Sequence, residues 1–293
     1  MKVLAIDGGG IRGLIPALVL AEVERRTGRR IAALADLLAG TSTGAIIACA
    51  LAKPDPMPAA RVAAIYEQDG PRIFHRSLLK IITSADGYLD ERYDASGLVR
   101  SLRTHLGDAR LPQATTEILL VTYDLQARSP VLLRRSDDVS MVEAAHASSA
   151  APTYFEPVRI GPRTLVDGGV CAINPAMLAY ADAGGRLDVL GSLGTGEHTR
   201  PIPFSEARGW GQIQWARPII DVVFDGSADV VNAELSRLID DRYIRLQTQL
   251  THGASDALDD ASPENLRALR AAAERLIAAA SADIDRLCAA LTA

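Results

Sequence analysis

The sequence comprises 293 residues, 48% of them hydrophobic, 23% charged and 4% aromatic, which is the balance of a core-forming chain rather than a disordered one. Lys and Arg number 31 against 36 Asp and Glu, a formal net charge of −5, so no general basic field exists to hold a nucleic acid polymer, and the few aromatics leave little for base stacking. At this length the chain forms one large domain or two small ones.

The opening Met1-Lys2-Val3-Leu4-Ala5-Ile6-Asp7 meets an acid too early for a secretory signal, so export by that route is not expected. Residues 3–6 predict a strand, followed by three glycines. A helical pattern through Leu14, Ala17, Leu18, Ala21 and Val23 then stops at Gly28, with Pro16 in its first turn. A second unit repeats the scheme, with a strand at 36–39, a turn at 40–44 and an apolar helix at 45–51. Two such units predict a largely parallel sheet with helices on its faces. The uncharged run 37–52 is shorter than the roughly 20 residues that span a bilayer and reads as buried strand, turn and helix. Further strands are predicted at 117–123, 131–134, 163–166, 187–190 and 243–246. Residues 53–58 and 201–215 read as excursions rather than linkers. Ser262-Pro263-Glu264 opens one long Ala/Leu/Arg helix, with Ser262 as its N-cap. Cys49, Cys171 and Cys288 are odd in number and scattered, which fits a reduced cytosolic chain with no structural metal.

Three short motifs carry chemistry. Gly40-Thr41-Ser42-Thr43-Gly44 is a G-x-S-x-G sequence between a predicted strand and helix, the context in which a serine becomes an exposed nucleophile. The helix that follows aims its N-terminal N–H groups at negative charge developing there. An ordinary structural turn is the competing reading. Asp7-Gly8-Gly9-Gly10-Ile11-Arg12-Gly13 offers consecutive backbone N–H groups to an oxyanion, with Arg12 as an added donor. Gly8, Gly10 and Gly13 also satisfy the dinucleotide fingerprint G-x-G-x-x-G, with Asp36 as a rough candidate for the ribose acid, but that scheme gives Ser42 no role. Asp167-Gly168-Gly169 follows the predicted strand 163–166, where a functional side chain or a plain turn would both sit. His198 and His252 follow Asp167 in polar loops and read as solvated. His75, His105 and His146 lack ligand-spaced partners.

The combination resembles the patatin-like phospholipases, acyl hydrolases that use a Ser-Asp dyad without histidine. The resemblance lies in residues 7–13, 40–44, the Ser-Ser-Ala-Ala-Pro-Thr-Tyr-Phe-Glu-Pro block at 148–157, 167–169 with Asn174-Pro175, and 192–196, in that order. Asp225-Gly226 and residues 257–264 are similar to compact bacterial members. The resemblance implies a three-layer α/β/α sandwich around a mainly parallel sheet. It implies a single domain over 1–293, with core motifs at 3–200 and a C-terminal helical part at 209–293 packed on them. It places the nucleophile on Ser42, the second dyad member on Asp167 and the oxyanion loop on Gly8, Gly9 and Gly10 with Arg12 beside them. Gly40, Gly44, Gly168 and Gly169 support the turns. Ala45 departs from the family where a further glycine is frequent, which would tighten the floor of the acyl pocket. His146 stands where an arginine is expected.

The implied reaction is hydrolysis of phospholipid or other acyl-lipid carboxylic esters through an acyl-serine, with no cofactor and no metal. A free aspartate, with a pKa of about 3.9, is a weak base at neutral pH, so positioning and oxyanion stabilisation would carry the catalysis. Two alternatives stand beside it: an esterase or thioesterase for soluble acyl compounds, and a regulated membrane-degrading effector, such as a nucleotide-activated defence phospholipase. The expected location is cytoplasmic, with peripheral contact at the inner membrane face. Candidate contacts are the basic and apolar segment 72–82, including Arg76 and Lys80, or the group Ile202, Phe204, Trp210 and Trp215.

Overall fold

The computed structural model describes residues 1–74, 93–197, 201–215, 218–251 and 253–293. His75, Arg76, Lys80, His198 and His252 lie outside the described residues, as does most of the segment 72–82.

Eight strands form one sheet in the order β5-β6-β3-β2-β1-β7-β8, with β4 also paired to β3. They are β1 Lys2–Ile6, β2 Leu37–Thr41, β3 Glu117–Asp124, β4 Ser129–Arg134, β5 Val158–Ile160, β6 Arg163–Asp167, β7 Val189–Leu193 and β8 Tyr243–Leu246. β1, β2, β3, β7 and β8 run parallel, as the two strand-turn-helix units predict. β4, β5 and β6 are antiparallel additions at the β3 side. The strand at 158–160 has no counterpart in the sequence reading: it is three residues long and half exposed, too short for an alternating pattern to register.

The helices are α1 Leu14–Thr27, α2 Thr43–Ala52, α3 Ala59–Ile73, α4 Ser96–Leu106, α5 Met141–Ser148, α6 Gly169–Ala172, α7 Ala176–Asp182, α8 Phe204–Ala207, α9 Gln212–Trp215, α10 Pro218–Leu238, α11 Pro263–Ala279 and α12 Ser281–Thr292. Side chains alternate across the sheet. Leu4 and Ile6 of β1 enter one hydrophobic cluster with α1, α2, α11 and α12, while Val3 and Ala5 enter a second with α7 and the end of α10. A sheet buried on both faces by helices is the three-layer α/β/α arrangement. Gly28 ends α1 in the left-handed conformation at φ 66°, and Ser262 caps α11 by accepting the Asn265 N–H. The single helix expected after Ser262 is two helices, broken at Ala280. No Gly or Pro marks the break. Arg26 of α1 holds it from outside, donating to the Ser281 carbonyl at 2.9 Å and to Asp285 at 2.7 Å.

The register around β3 positions the site. Thr41, the last residue of β2, pairs with Val121, and Asp167, the last residue of β6, pairs with Thr122. β4 occupies the other edge of β3 from Leu119 to Asp124. β2 and β6 therefore share one edge of β3 and meet there end to end, from opposite directions. Residues 42 and 167 leave the sheet at the same point.

Candidate active site

All five residues of β2 are buried, as a central parallel strand requires, and the chain passes from β2 into α2 through Ser42 alone. Ser42 stands at φ 55° and ψ −122°, a conformation that costs a side chain roughly 1–3 kcal/mol. The glycines on either side make the turn sterically feasible. A Cβ on Gly44 would lie 2.1 Å from the Ile6 carbonyl oxygen, and one on Gly40 would lie 2.3 Å from that of Gly44. The turn is thus tighter than predicted, since Gly40 and Thr41 remain in the strand and Thr43 opens the helix.

Ser148, at the end of α5, fixes the strained residue. Its Oγ accepts the Ser42 N–H at 2.9 Å and its hydroxyl donates to the Val121 carbonyl at 2.6 Å. The adjacent Ala150 carbonyl accepts the Asp167 N–H at 3.0 Å. One segment therefore braces both residues. In the sequence Ser148 is one serine of the Ser-Ser-Ala-Ala block, with no mark of this role.

Asp167 is 1% exposed. The Gly169 N–H donates to its Oδ1 at 2.7 Å. The Ser42 hydroxyl acts on the same carboxylate and favours its charged form, yet Oδ2 holds no hydrogen bond of full geometry. Catalytic contacts are often loose in this way before substrate arrives. Burial pushes the Asp167 carboxyl up to about 7, against the pull of the Ser42 and Gly169 hydrogen bonds. This corrects the expectation of a feeble base: a carboxyl of that pKa is matched to proton transfer at neutral pH.

Ser42 and Asp167 open into a mostly apolar pocket whose walls include Ile11, Ile46, Ile73, Phe74, Tyr154 and Phe155. Tyr93 backs Phe74 and Phe155 of that wall, 6.0 Å from Phe155 and edge-on to Phe74 at 5.7 Å. Gly9 and Gly10 line the same pocket. Among the described residues their N–H groups have no acceptor, whereas the Gly8 N–H is taken by the Ile173 carbonyl at 2.9 Å. Gly9 sits at φ 157°, with Thr195 Oγ1 only 2.3 Å from where a Cβ would be, and the Thr195 hydroxyl donates to the Gly8 carbonyl at 2.8 Å. Beneath the loop, buried Asp7 pairs with Arg245 at 2.6 Å, and Arg245 donates to Ser192 Oγ at 2.8 Å. Thr195, Asp7 and Arg245 brace the loop. In the sequence Asp7 is marked as the acid that opens the glycine motif and Thr195 as part of the block 192–196, while Arg245 has no mark.

The structure splits the four residues expected at the oxyanion loop. Gly9 and Gly10 face the pocket, and Gly8 is a backbone brace. Arg12 points to the opposite side because the tight turn Gly10–Gly13 sends Ile11 into the pocket and Arg12 away from it. Arg12 Nε and Nη1 donate to the Gly9 and Gly196 carbonyls at 3.4 and 3.3 Å, which ties down the loop from behind. Ala45 packs in the main core and does not line the pocket. His146 is half-buried, and burial lowers its pKa. His105 lines the pocket and pairs with Asp69 at 3.0 Å. Gly168 packs on the Val121 carbonyl.

The dinucleotide reading fails on geometry. Asp36 precedes β2, where it accepts the Lys2 N–H at 2.8 Å. That is the opposite end of the sheet from the glycine loop, out of reach of a ribose held there. Among the described residues no group of three or more His, Cys, Asp or Glu is placed to hold a metal ion. Cys49, Cys171 and Cys288 are unpaired.

The sequence model of the patatin-like phospholipases matches residues 4–180. Patatin-like protein 1 of Oryza sativa subsp. indica is 31% identical over 95% of this chain and 81% of its own length. Patatin-like protein 2 of Arabidopsis thaliana is 30% identical over 94% and 83%. Among solved structures, VipD from Legionella pneumophila aligns with a TM-score of 0.49 at 13% identity, over 95% of this chain and 67% of its own. The glycine-flanked serine and the buried aspartate lie within the segment that the family sequence model spans, and the chain belongs to the patatin-like phospholipase family.

Proposed function

We propose that the chain is a lipid acyl hydrolase acting through a Ser42-Asp167 dyad within a single catalytic unit. One observation supports this above the rest. A strained serine held between glycines meets a buried carboxyl whose pKa is about 7, at the mouth of an apolar pocket edged by two free N–H groups. Ser42 Oγ attacks the ester carbonyl carbon while its proton passes to Asp167. The Gly9 and Gly10 N–H groups and the N-terminal end of α2 stabilise the tetrahedral oxyanion. The bond to the leaving alcohol then breaks as Asp167 returns the proton to the departing alkoxide. Water attacks the acyl-serine, Asp167 takes one of its protons, and the fatty acid leaves as Ser42 regains its hydrogen. No step calls on a cofactor.

The apolar pocket favours a long acyl chain over a small soluble acyl group. Exposed apolar residues nearby, including Phe204, Trp215 and Ile219, favour a peripheral stance at a lipid surface. No helix among the described residues is long and apolar enough to cross a membrane. The deciding experiment incubates parent protein and Ser42→Ala with a p-nitrophenyl acyl ester and with total bacterial lipid extract. Parent protein is expected to release fatty acid from both, and the variant to lose at least about 100-fold in rate. An undiminished rate in Ser42→Ala would refute the reading. Kinetics on monomeric and micellar substrate separate a lipid hydrolase, which accelerates on micelles, from an esterase for soluble compounds, which does not.

A further inference from the structure

Phe224 of α10 is the wall between the Ser42 pocket and a second space on its other side, a cleft of about 260 Å³. Asp221 and Asp225 enter the cleft from one face of α10, four residues apart, and Asp256 enters from the chain that follows β8. Trp210 lines it as well, edge-on to Trp215 with ring centroids 5.0 Å apart. Glu206 stands in the same lining. Arg12 closes the inner end.

The charges do not cancel by contact. Asp225, Asp221 and Asp256 all act on Arg12 electrostatically, but among the described residues no carboxylate comes within ion-pair distance of it. Two of its nitrogens make long bonds to carbonyl oxygens, at 3.4 and 3.3 Å, and its remaining guanidinium N–H groups meet no acceptor among the described residues. Burial raises the Asp221 and Asp225 carboxyls, and Arg12 counters it. Among the described lining residues, four carboxyl groups stand against one guanidinium, a formal excess of three acids (4 − 1). An indole ring in the wall of such a field is a setting in which an alkylammonium group is held, by charge and by the ring quadrupole together. A lone guanidinium at the inner end suits a single phosphate.

We propose that this cleft is a subsite for the zwitterionic head of a phospholipid, with the phosphate on Arg12 and the ammonium among Asp221, Asp225 and Trp210. The inference rests on the acyl-hydrolase reading of Ser42. It gives that reading a substrate class: lipids with phosphocholine or phosphoethanolamine heads, whose ester group reaches Ser42 across the one-residue wall of Phe224. An anionic head would set its uncompensated charge against the carboxylates.

Mixed micelles in neutral detergent, carrying phosphatidylcholine or phosphatidylglycerol with identical acyl chains, supply the test. Parent protein is expected to prefer phosphatidylcholine by about tenfold or more in kcat/KM. In Asp221→Asn/Asp225→Asn and in Trp210→Ala, with folding checked by circular dichroism, the preference should fall to within about twofold. Equal rates on the two lipids by the parent protein, or a preference that survives both variants, overturns the subsite. Should a variant fail to fold, saturation-transfer NMR of sn-glycero-3-phosphocholine on the parent protein decides the matter. Transfer to the choline methyls, undiminished by excess glycerophosphoglycerol and lost in Asp221→Asn/Asp225→Asn or Trp210→Ala where either folds, is expected; absence of transfer on the parent protein overturns the proposal. Ser42→Ala runs in parallel. If that variant hydrolyses both lipids at the parent rate, the catalytic assignment fails, while the head-group preference and the NMR signal are still read independently.

Discussion

Replacing Asp167 with asparagine should separate activity from stability, and should move them in opposite directions. The carboxyl titrates at about 7 in the folded protein against 3.8 in its ordinary state, and the cause is burial. Between those values the folded chain keeps a proton that the unfolded chain releases. Relative to a neutral side chain of the same shape, stability therefore falls as pH rises from about 4 through about 7, and the full cost is present above that. Three pH units at 1.36 kcal/mol each set a ceiling of about 4 kcal/mol. Asparagine keeps the acceptor for the Gly169 N–H, 2.7 Å from Oδ1 in the parent, and carries no charge to desolvate. Part of the gain is offset by its second N–H, which must find a partner where Oδ2 now stands. A gain of about 2–4 kcal/mol at pH 8, shrinking toward zero near pH 4, is expected. Urea denaturation of parent and Asp167→Asn at pH 5, 6.5 and 8, with ester hydrolysis measured on the same samples, reads both quantities. A variant no more stable than the parent at pH 8, or a difference that does not change with pH, would refute the buried, near-neutral carboxyl.

Activity carries the same titration. kcat/KM should rise with pH through about 7 and then level, because Asp167 must be ionised to accept the Ser42 proton; a profile already flat from pH 5 to 8 contradicts that assignment. Ser148→Ala removes the acceptor of the Ser42 N–H and leaves a buried donor unpaired. It should cost about 1–3 kcal/mol in stability and lower kcat more than it raises KM, which thermal melts and steady-state kinetics report. Gly9→Ala would drive a methyl into Thr195 and displace the loop, so kcat should fall about 100- to 1000-fold with little change in KM. Phe204→Asp places a charge on a side chain that is 80% exposed; vesicle flotation should show weakened membrane binding while hydrolysis of monomeric ester is retained.

The parts of the site legible in the sequence are those whose geometry is local. Gly40-Thr41-Ser42-Thr43-Gly44 announces a strand-to-helix turn because only glycine admits the approach of Ile6 and Gly44. Asp167 was legible as an acid at a strand end. What sequence patterning left open depends on contacts between distant segments. Arg12 reads as a donor near the glycines, and only the tight turn that aims Ile11 inward sends it to the opposite side. Asp167 reads as an ordinary carboxylate until burial is known. Ser148 is one serine in a small-residue run until α5 brings it against Ser42. The antiparallel arrival of β6 and the break at Ala280 likewise have no local mark, the second being set by Arg26 from a helix more than 250 positions away.

The end-to-end meeting of β2 and β6 on one edge of β3 bears on when the proposed dyad can first come together. The two residues of the proposed dyad are 125 positions apart (167 − 42), and both strands that carry them pair with β3. A shift of β6 by one residue would carry Asp167 about 3.3 Å along the strand and turn its side chain to the other face. A chain that has emerged only as far as β4 has Ser42 and its flanking glycines but neither Ser148, which holds the Ser42 N–H, nor Asp167. On the proposed mechanism, a copy cut short before β6 carries Ser42 without Asp167 and is inactive, and one cut short before β8 still lacks Arg245 beneath the glycine loop.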